Sequence, residues 1–484
     1  MKLKKYIIAF SLLAATGANA LNLPAIIGDN MMLQQQTEAK LWGWAKPGSK
    51  VTVTTAWNGK HYTTTATDNG KWQLFVATPA ASYEPTSFTV EGDGKKIKVN
   101  NVLIGEVWFA SGQSNMEMPM QGFIGSPVEG SNEAIATAGN HKKALRFSTT
   151  PRQLSATTLD SVGGPWVECT SENAATFSAI GYYFARRLNE ILDVPVGVIN
   201  CSYGGTRVEG WMPKELLEKC PDVDLSLAAK PGVVECFQPM SMYNGMLYPL
   251  SGYTAKGFLW NQGESNVGMH QTYHNRLADM VNHWRRLWND KNNSMPFYAV
   301  EIPPFCYGDG LDGVSSALLR ESQQKSIQLI PNSGMVSSID LYTPGLWCQI
   351  HPAVKQPAAD RLAYMAAART YGVPGIQYQS PSFKSMEKLD GGSAVLLRFN
   401  DCIEGMSPYQ GQKGFEVAGE DKKFYPAKAE QVFGPFPVVE GIKLTCPEVK
   451  NIVAVRYRFK NWDETGNVYN LRQLPLMPFR TDNW

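Results

Sequence analysis

Short segments of alternating apolar and polar residues occupy the early part of the chain, at 40–44, 50–56, 61–66, 71–76 and 87–90. Turn-forming residues separate them, including Pro47-Gly48, Asn58-Gly59 and Asn69-Gly70. Alternation with a period of two, interrupted by Gly, Pro and Asn, is typical of β-strands that bury one face. Residues 21–101 are therefore predicted to form a small antiparallel β-sandwich.

From residue 102 the pattern changes to apolar runs that alternate with longer amphipathic segments. The runs lie at 102–110, 196–201, 257–262, 297–300 and 334–339, and the helix-like segments at 179–193, 273–288, 317–329 and 353–371. Such runs fit strands that are buried on both faces of a parallel sheet covered by helices. The sequence therefore predicts an α/β domain over residues 102–375. Strand patterns return at 394–399, 414–417, 438–444 and 452–459, which predicts a second β-rich domain over 376–484.

The first 20 residues are predicted to be a secretory signal peptide. Lys2, Lys4 and Lys5 precede a short apolar run, and Ala18-Asn19-Ala20 supplies a small-residue cleavage site. The run is about half of the ~20 residues that a spanning helix needs, and no later segment is long and apolar enough. We therefore expect an exported protein, periplasmic or secreted, without a membrane span.

Charge and cysteine spacing argue against two classes of function. The formal net charge is +2 at pH 7, so no basic face for nucleic acid is indicated. The eight cysteines contain no CxxC pair, which argues against a zinc site. In an oxidising compartment cysteines can pair, and we expect a Cys402–Cys446 bridge because both residues lie in the last β-rich stretch.

Polar blocks follow the strand patterns of the central domain. They lie at 111–116, 202–207, 262–266 and 349–352. Because ligands bind beyond the carboxyl ends of the strands in an open parallel sheet, these four blocks are expected to meet in one site.

Ser114 is the candidate nucleophile, since a serine on a tight strand-to-helix turn presents its hydroxyl to a pocket, and Gly112 gives that turn its conformational freedom. The alternative is that Ser114 caps a short helix. The chain contains no G-x-S-x-G elbow, which argues against an α/β-hydrolase.

His351 is the candidate general base, because among six histidines it alone follows a late strand and precedes a helix-opening proline. A structural histidine is the alternative.

Donors for an oxyanion are expected in the other blocks. The backbone N–H groups of the Ser114 turn and of Gly204 or Gly205 are candidates, as are the side-chain amides of Gln262 or Asn266; such donors stabilise charge that develops in a transition state. An ordinary turn at Gly204-Gly205 and a strand-end hydrogen-bond cluster around Gln262 are the alternatives.

The blocks resemble the SGNH hydrolase superfamily in their order of Ser, Gly, amide and His. More narrowly, the chain resembles the bacterial sialate O-acetylesterase family. In the central domain this resemblance is carried by Gly105-Glu106-Val107-Trp108, Gly112-Gln113-Ser114-Asn115-Met116, Gly204-Gly205-Thr206, Gly210-Trp211-Met212, Trp260-Asn261-Gln262-Gly263-Glu264-Ser265-Asn266, His351-Pro352, Lys355 and Arg361-Leu362-Ala363. Elsewhere it is carried by Asp29-Asn30-Met31-Met32-Leu33-Gln34, Gly43-Trp44, Val455-Arg456-Tyr457, Leu474-Pro475 and Pro478-Phe479-Arg480-Thr481. It therefore covers nearly the whole chain after residue 20.

The resemblance implies a flavodoxin-like SGNH hydrolase core with flanking β-sandwich-like domains. It also implies hydrolysis of O-acetyl esters on sugars, chiefly sialic acids, without a metal or organic cofactor. Ser114 would attack the acetyl carbonyl, and His351 would take the serine proton and later protonate the leaving sugar hydroxyl. Water would then cleave the acetyl-enzyme.

One departure from the superfamily concerns the third catalytic residue. Many SGNH enzymes carry an Asp three residues before the His, and here that position is Cys348. Our hypothesis is a Ser–His dyad in which a backbone carbonyl near Gln349 accepts the His351 Nδ1 proton. Asp340, after the preceding strand, is the rival third member.

Substrate recognition is expected to involve Gln113, Arg207 and Glu264. Sialic acid carries a carboxylate, which the planar guanidinium of Arg207 would suit; the alternative is that Arg207 pairs with Glu264 or Glu209. Acetylated xylan or another polysaccharide would not need this charge, so a polysaccharide O-acetylesterase is the second hypothesis. A carbohydrate-binding protein with an inactive hydrolase core is the third. The sequence does not define the oligomeric state.

Overall fold

The protein is described by a computed structural model over residues 20–402, 404–435 and 439–484. The predicted signal peptide lies outside these residues apart from its last position. Within the described ranges, no helix combines the length and the apolar character that crossing a membrane requires.

The amino-terminal region is built from strands whose apolar side chains alternate, as predicted. The strands are β1 (Met32–Gln34), β2 (Glu38–Trp44), β3 (Lys50–Thr55), β4 (His61–Thr65), β5 (Lys71–Ala77), β6 (Ser82–Gly92) and β7 (Lys95–Gly112). β2 pairs with β5, while β3 pairs with β4 and β6, and β6 with β7, all antiparallel. All five strands predicted here are present, and every second side chain of β2 and β3 is buried.

The long strand β7 joins this region to the centre of the molecule. Its first residues pair with β6, and its last seven pair with a central strand. Side chains from Val102 to Gly112 are all buried. The predicted boundary between residues 101 and 102 therefore falls inside one continuous strand, where the strand passes from half-buried to fully buried.

The central sheet contains the apolar runs predicted from the sequence. Its further strands are β8 (Leu145–Thr149), β9 (Trp166–Glu168), β10 (Val196–Ser202), β11 (Gly257–Asn261), β12 (Phe297–Val300) and β13 (Ser333–Val336). The helices are α1 (Ser114–Glu117), α2 (Ser131–Thr137), α3 (Ser171–Thr176), α4 (Ala179–Leu192), α5 (Lys214–Leu217), α6 (His270–Leu287), α7 (Ser315–Leu329) and α8 (Gln356–Arg369). The four predicted helices correspond to α4, α6, α7 and α8; β8, β9, α2, α3 and α5 were not predicted.

The central sheet has the predicted flavodoxin-like strand order, with two further strands added at one edge. The full order is β13-β12-β11-β7-β10-β8-β9, and every pair is parallel except β8 with β9. Counted along the chain, the parallel strands β7, β10, β11, β12 and β13 lie in the order 2-1-3-4-5, which is the flavodoxin-like order, and β8 and β9 extend the sheet beyond β10. The chain builds first on one side of β7 and then on the other. The carboxyl end of β7, which leads directly to Ser114, is therefore where the strand order reverses and a binding crevice is expected.

The carboxyl-terminal region is β-rich, as predicted. Its strands are β14 (Ser382–Leu389), β15 (Ala394–Asn400), β16 (Met406–Ser407), β17 (Phe415–Ala418), β18 (Phe424–Pro426), β19 (Lys428–Phe433), β20 (Val439–Thr445), β21 (Ala454–Tyr457), β22 (Tyr469–Asn470) and β23 (Phe479–Arg480). Two four-stranded sheets, β14-β15-β20-β19 and β18-β17-β21-β23, enclose one apolar core.

The expected Cys402–Cys446 bridge is wrong. All eight cysteines are free thiols. Cys402 Sγ lies 3.5 Å from the Phe399 carbonyl oxygen, and Cys446 Sγ lies 3.1 Å from a carboxylate oxygen of Glu448. The two buried thiols are thus directed to different local acceptors.

Candidate active site

The turn that carries Ser114 depends on Gly112. This glycine has φ +139°, and a Cβ placed on it would lie 2.1 Å from the Asn261 carbonyl oxygen. Only glycine therefore allows β7 and β11 to approach here while the chain turns. Ser114 is the first residue of α1, after the cap residue Gln113. The alternative that Ser114 is the helix cap is wrong.

Gln113 fastens this turn to the end of β11. Its N–H donates to the Asn261 carbonyl oxygen at 3.0 Å, and its side-chain oxygen accepts from the N–H groups of Gly263 and Ser265 at 3.2 and 3.4 Å. These bonds give Gln113 a structural role. Of its side chain, the Nε2 group alone is left for the predicted contact with substrate.

His351 lies between β13 and α8, half-buried, and its ring packs edge-to-face on Phe123 with centroids 5.3 Å apart. Burial and the charge of Lys355 lower its pKa to about 4, so the imidazole is neutral at pH 7 and can accept a proton. Among the described residues it makes no hydrogen bond, including none to Ser114. Catalytic hydrogen bonds are often loose without substrate.

A direct hydrogen bond connects the serine turn to the histidine loop. Asn115 Nδ2 donates to the Ile350 carbonyl oxygen at 3.1 Å. Asn115 follows Ser114 and Ile350 precedes His351, so this bond brings the two predicted catalytic residues into one site.

Neither predicted partner of His351 is in place. Asp340 accepts two hydrogen bonds from Arg361, at 2.8 and 2.7 Å, and both side chains are largely buried. Gln349 directs its side chain to Ser126 Oγ at 2.8 Å. No carbonyl of the described residues accepts a proton from His351. In the described residues, neither the carboxylate nor the backbone carbonyl that the sequence suggested is bonded to His351.

The two side-chain amides proposed as oxyanion donors already donate hydrogen bonds to other groups of the protein. Gln262 Nε2 donates to the Thr206 carbonyl oxygen at 3.0 Å and to Asn266 Oδ1 at 2.8 Å. Asn266 Nδ2 donates to Glu209 at 3.0 Å. Both residues are completely buried. They form a strand-end hydrogen-bond cluster, which was the alternative given for them.

The two predicted backbone donors, the N–H groups of Gly204 and Gly205, differ in whether they already have an acceptor. The Gly204 N–H donates to Glu117 Oε2 at 2.7 Å, so it does not face an open acceptor position. The Gly205 N–H has no acceptor among the described residues, and Gly205 has φ +77°. The Ser114 N–H likewise has none, because the first residues of a helix lack an intrahelical acceptor. Ser114 and Gly205 are therefore the remaining oxyanion candidates.

Arg207 does not form the ion pair offered as its alternative role. Its Nε donates to the Ser265 carbonyl oxygen at 3.2 Å, and its guanidinium stacks on Phe237 at 4.7 Å. Glu209 pairs instead with Arg276. No described residue bonds the two terminal nitrogens of Arg207. Arg207 lines a hollow of about 150 Å³, which Asp222 and Asp224 also line.

Glu264 is not exposed to a substrate. It is 5% exposed, lies beneath the serine turn, and accepts from Asn115 Nδ2 at 2.5 Å. Its predicted substrate contact is therefore wrong, because the side chain is covered.

Two charged residues beside Ser114 were missed. Arg152 donates two hydrogen bonds of 2.7 Å to Glu117 and stacks on Tyr203 at 4.4 Å. A Cβ on Gly204 would lie 3.4 Å from Ser114 Cβ and 3.5 Å from Arg152 Nη2, so less than about 7 Å separates these two atoms. Arg152 closely follows β8; recognition of that five-residue strand would have brought it into the set of strand-end residues.

Comparisons with known proteins agree on one family. The family of carbohydrate esterases described as sialic acid-specific acetylesterases matches residues 104–355, slightly more than half of the chain. Sialate O-acetylesterase of Homo sapiens is 27% identical over 471 residues, covering 90% of this chain and 87% of its own, and that of Mus musculus is 25% identical over 511 residues, covering 94% and 93%. The crystal structure of a carbohydrate acetylesterase from Xanthomonas citri is 33% identical, with a TM-score of 0.84, over 96% of this chain and 100% of that one.

Proposed function

The chain belongs to the carbohydrate esterase family of sialic acid-specific acetylesterases, and on this premise we propose that it removes O-acetyl groups from sialic acids with Ser114 as nucleophile and His351 as base. It is a carboxylic ester hydrolase. The observation that carries the assignment of residues is the Asn115–Ile350 hydrogen bond, which joins the serine turn to the histidine loop.

In the proposed reaction, Ser114 Oγ attacks the acetyl carbonyl carbon while His351 accepts the hydroxyl proton. The carbonyl oxygen becomes an oxyanion beside the Ser114 and Gly205 N–H groups, whose fixed dipoles stabilise it without reorganisation. The carbon–oxygen bond to the sugar breaks, and His351 returns its proton to the leaving hydroxyl. Water, deprotonated by His351, then releases acetate and regenerates Ser114.

His351 acts in this scheme without a carboxylate partner. A triad acid stabilises the imidazolium that forms during catalysis, and no described acid takes that position. The low pKa of His351 makes it a weak base. It also keeps His351 unprotonated in mildly acidic solution, so the enzyme is expected to work there.

Arg207 is the residue that we propose binds the sialate carboxylate. Its two terminal nitrogens are unbonded among the described residues, and a guanidinium fork matches a carboxylate. Arg152, the other arginine near the site, is already neutralised by Glu117. The two arginines are therefore expected to have different roles although each follows a strand of the central sheet.

The test compares O-acetylated sialic acid with acetylated xylan oligomers. Arg207→Gln is expected to lower kcat/KM for the sialate about 10- to 100-fold, the value of a charge-assisted hydrogen bond, and to leave xylan cleavage unchanged. Arg152→Gln is expected to lower both rates together, because it releases Glu117 from the Gly204 turn. Cleavage of xylan alone would favour the polysaccharide esterase hypothesis. No turnover by folded protein would favour the carbohydrate-binding hypothesis.

We also propose that the enzyme is exported, to the periplasm or outside the cell. The basic residues, short apolar run and Ala18-Asn19-Ala20 of the first 20 residues support this proposal. Amino-terminal sequencing of the protein recovered from cell fractions tests it, with Leu21 as the expected first residue.

A further inference from the structure

Two ionisable side chains are buried directly beneath the catalytic residues, and the proposed reaction uses neither. Glu264 is 5% exposed and Lys355 is 4% exposed. Burial of a charged group is costly unless the group is paired and hydrogen-bonded. Because both side chains are buried beside the catalytic residues, we expect them to position these residues or to change their electrostatic environment.

The Asn115 side chain connects these two residues. Lys355 Nζ donates to Asn115 Oδ1 at 2.5 Å, and Asn115 Nδ2 donates to Glu264 Oε1 at 2.5 Å and to the Ile350 carbonyl oxygen at 3.1 Å. The partners fix the orientation of the amide, because an ammonium only donates and a carbonyl only accepts. Both amide hydrogens and the amide oxygen are thus used.

These bonds connect three separate segments. Asn115 belongs to the serine turn, Glu264 to the block after β11, and Lys355 and Ile350 to the segment that carries His351 into α8. A shift of any one of them would move Ser114 relative to His351. A displacement of about 1 Å at a catalytic group can lower the rate by as much as ~100-fold.

We propose that Glu264, Asn115 and Lys355 form a buried clamp that positions Ser114 against His351, and that the Lys355 ammonium, which the Asn115 amide joins to the carbonyl oxygen preceding His351, acts electrostatically on the imidazole. This inference rests on the proposed function for its consequence in catalysis. Lys355 is a positioning residue, since its contacts are with Asn115 rather than with the reacting atoms.

The electrostatic part of the proposal follows from the groups around His351. After burial, the charge of Lys355 is the second cause of the lowered pKa of His351. Burial lowers the pKa of Lys355 itself to about 7, opposed by Glu264, and raises the pKa of Glu264. At the pH where His351 titrates, near 4, Lys355 is therefore fully charged.

Other charged and titratable groups near the clamp are neutral, paired elsewhere or exposed to solvent. The phenols of Tyr273 and Tyr307 have pKa values raised by burial and by Glu264, so they stay protonated. Around the histidine loop, Asp360 pairs with Arg187, and Arg361 pairs with Asp340. The Glu129 side chain, on the facing loop, is exposed to solvent, which screens its charge, and the Glu129 N–H donates to the Ala353 carbonyl oxygen. Lys355 is thus the charge that acts on His351.

The test is a titration of the His351 imidazole by NMR in the full-length protein with labelled histidine, assigned with a His351→Gln variant. Lys355→Met should raise the pKa of His351 from about 4 toward its ordinary 6.5. Glu264→Gln should leave that pKa in place, because Glu264 does not act on His351 directly. Lys428→Met, at an exposed lysine of β19, is the matched control and should change nothing.

Kinetics on an acetyl ester test the positioning part. Lys355→Met and Glu264→Gln should each lower kcat about 10-fold with KM little changed, whereas Lys428→Met should not. If Lys355→Met does not fold, Lys355→Gln, which keeps a donor toward Asn115, replaces it with the same expected shift of the His351 pKa. An unchanged His351 pKa in a folded Lys355 variant, or an unchanged kcat in both clamp variants, would overturn the proposal. Because the titration needs no turnover, an inactive wild-type enzyme would refute the proposed function and leave the titration result to decide the clamp.

Discussion

The replacement Asp340→Asn separates a Ser–His dyad from a triad. In the structure the Asp340 carboxylate pairs with Arg361 and not with His351. The Arg361 side chain is 8% exposed and the Asp340 side chain is 12% exposed. The variant would therefore leave the Arg361 charge without its partner in a largely buried place. Breaking a buried pair costs about 3–5 kcal/mol of unfolding free energy. Asparagine keeps one acceptor for Arg361, so we expect about 2–3 kcal/mol.

At roughly 2 °C per kcal/mol, that loss lowers Tm by about 4–6 °C. The kcat for an acetyl ester at 25 °C is expected to stay within about threefold of wild type. A triad acid behaves differently, because its replacement by asparagine lowers kcat about 10⁴-fold in a serine protease. Asp360→Asn, which removes the Arg187 partner on α8, is the matched control and should cost less stability at equal kcat. A fall of 10³-fold or more in kcat with a folded Asp340→Asn protein would refute the dyad.

Three further outcomes are expected. Gly112→Ala would place a Cβ 2.1 Å from the Asn261 carbonyl oxygen, so we expect a loss of ~3 kcal/mol or more of unfolding free energy, seen as a lower Tm or as insoluble protein. Gln349→Ala removes one hydrogen bond to Ser126 and should cost about 1 kcal/mol or less, with kcat changed less than ~3-fold. Catalysis needs neutral His351, so kcat/KM should fall as the pH drops through about 4; a fall centred near the ordinary 6.5 would contradict the described environment.

Much of the fold was predictable from the sequence because strands buried on one or both faces leave clear periodic patterns. The segments at 102–110, 196–201 and 257–262 became β7, β10 and β11, and the four helices followed their amphipathic stripes. The strand β8 was missed because five residues without clear alternation carry little signal. Arg152, which closely follows β8, was therefore not predicted as a site residue.

The position of β8 in the sheet was not predictable in the same way. Pairing of β7 with β10 rather than with β8 depends on long-range contacts, which no local pattern encodes. The continuation of β7 across residue 101 is similar, since the change from alternating to continuous apolar residues looked like a domain boundary although the strand itself is unbroken.

At the site, residue type and strand-end position predicted that the serine turn and the histidine loop meet, and the Asn115–Ile350 hydrogen bond joins these two segments. Residue type and position did not show which polar groups already have partners. Gln262 and Asn266 have the right chemistry for an oxyanion, but both point into a buried cluster. Asn115 and Lys355 belong to the motifs that resemble the family. Their contacts could not be predicted, because they join three segments that are distant in the sequence: the serine turn, the block after β11 and the histidine loop.

The central claim is that Ser114 carries the acetyl group during hydrolysis of an O-acetylated sialic acid. The most direct measurement mixes the enzyme with that substrate, quenches the reaction in acid within the first turnovers, and maps the peptides by mass spectrometry while acetate release is followed in parallel. We predict one acetyl group on the peptide that contains Ser114, steady acetate release by wild type, and neither signal with Ser114→Ala. Acetate release that continues in Ser114→Ala, or an acetyl group on another residue, would contradict the account.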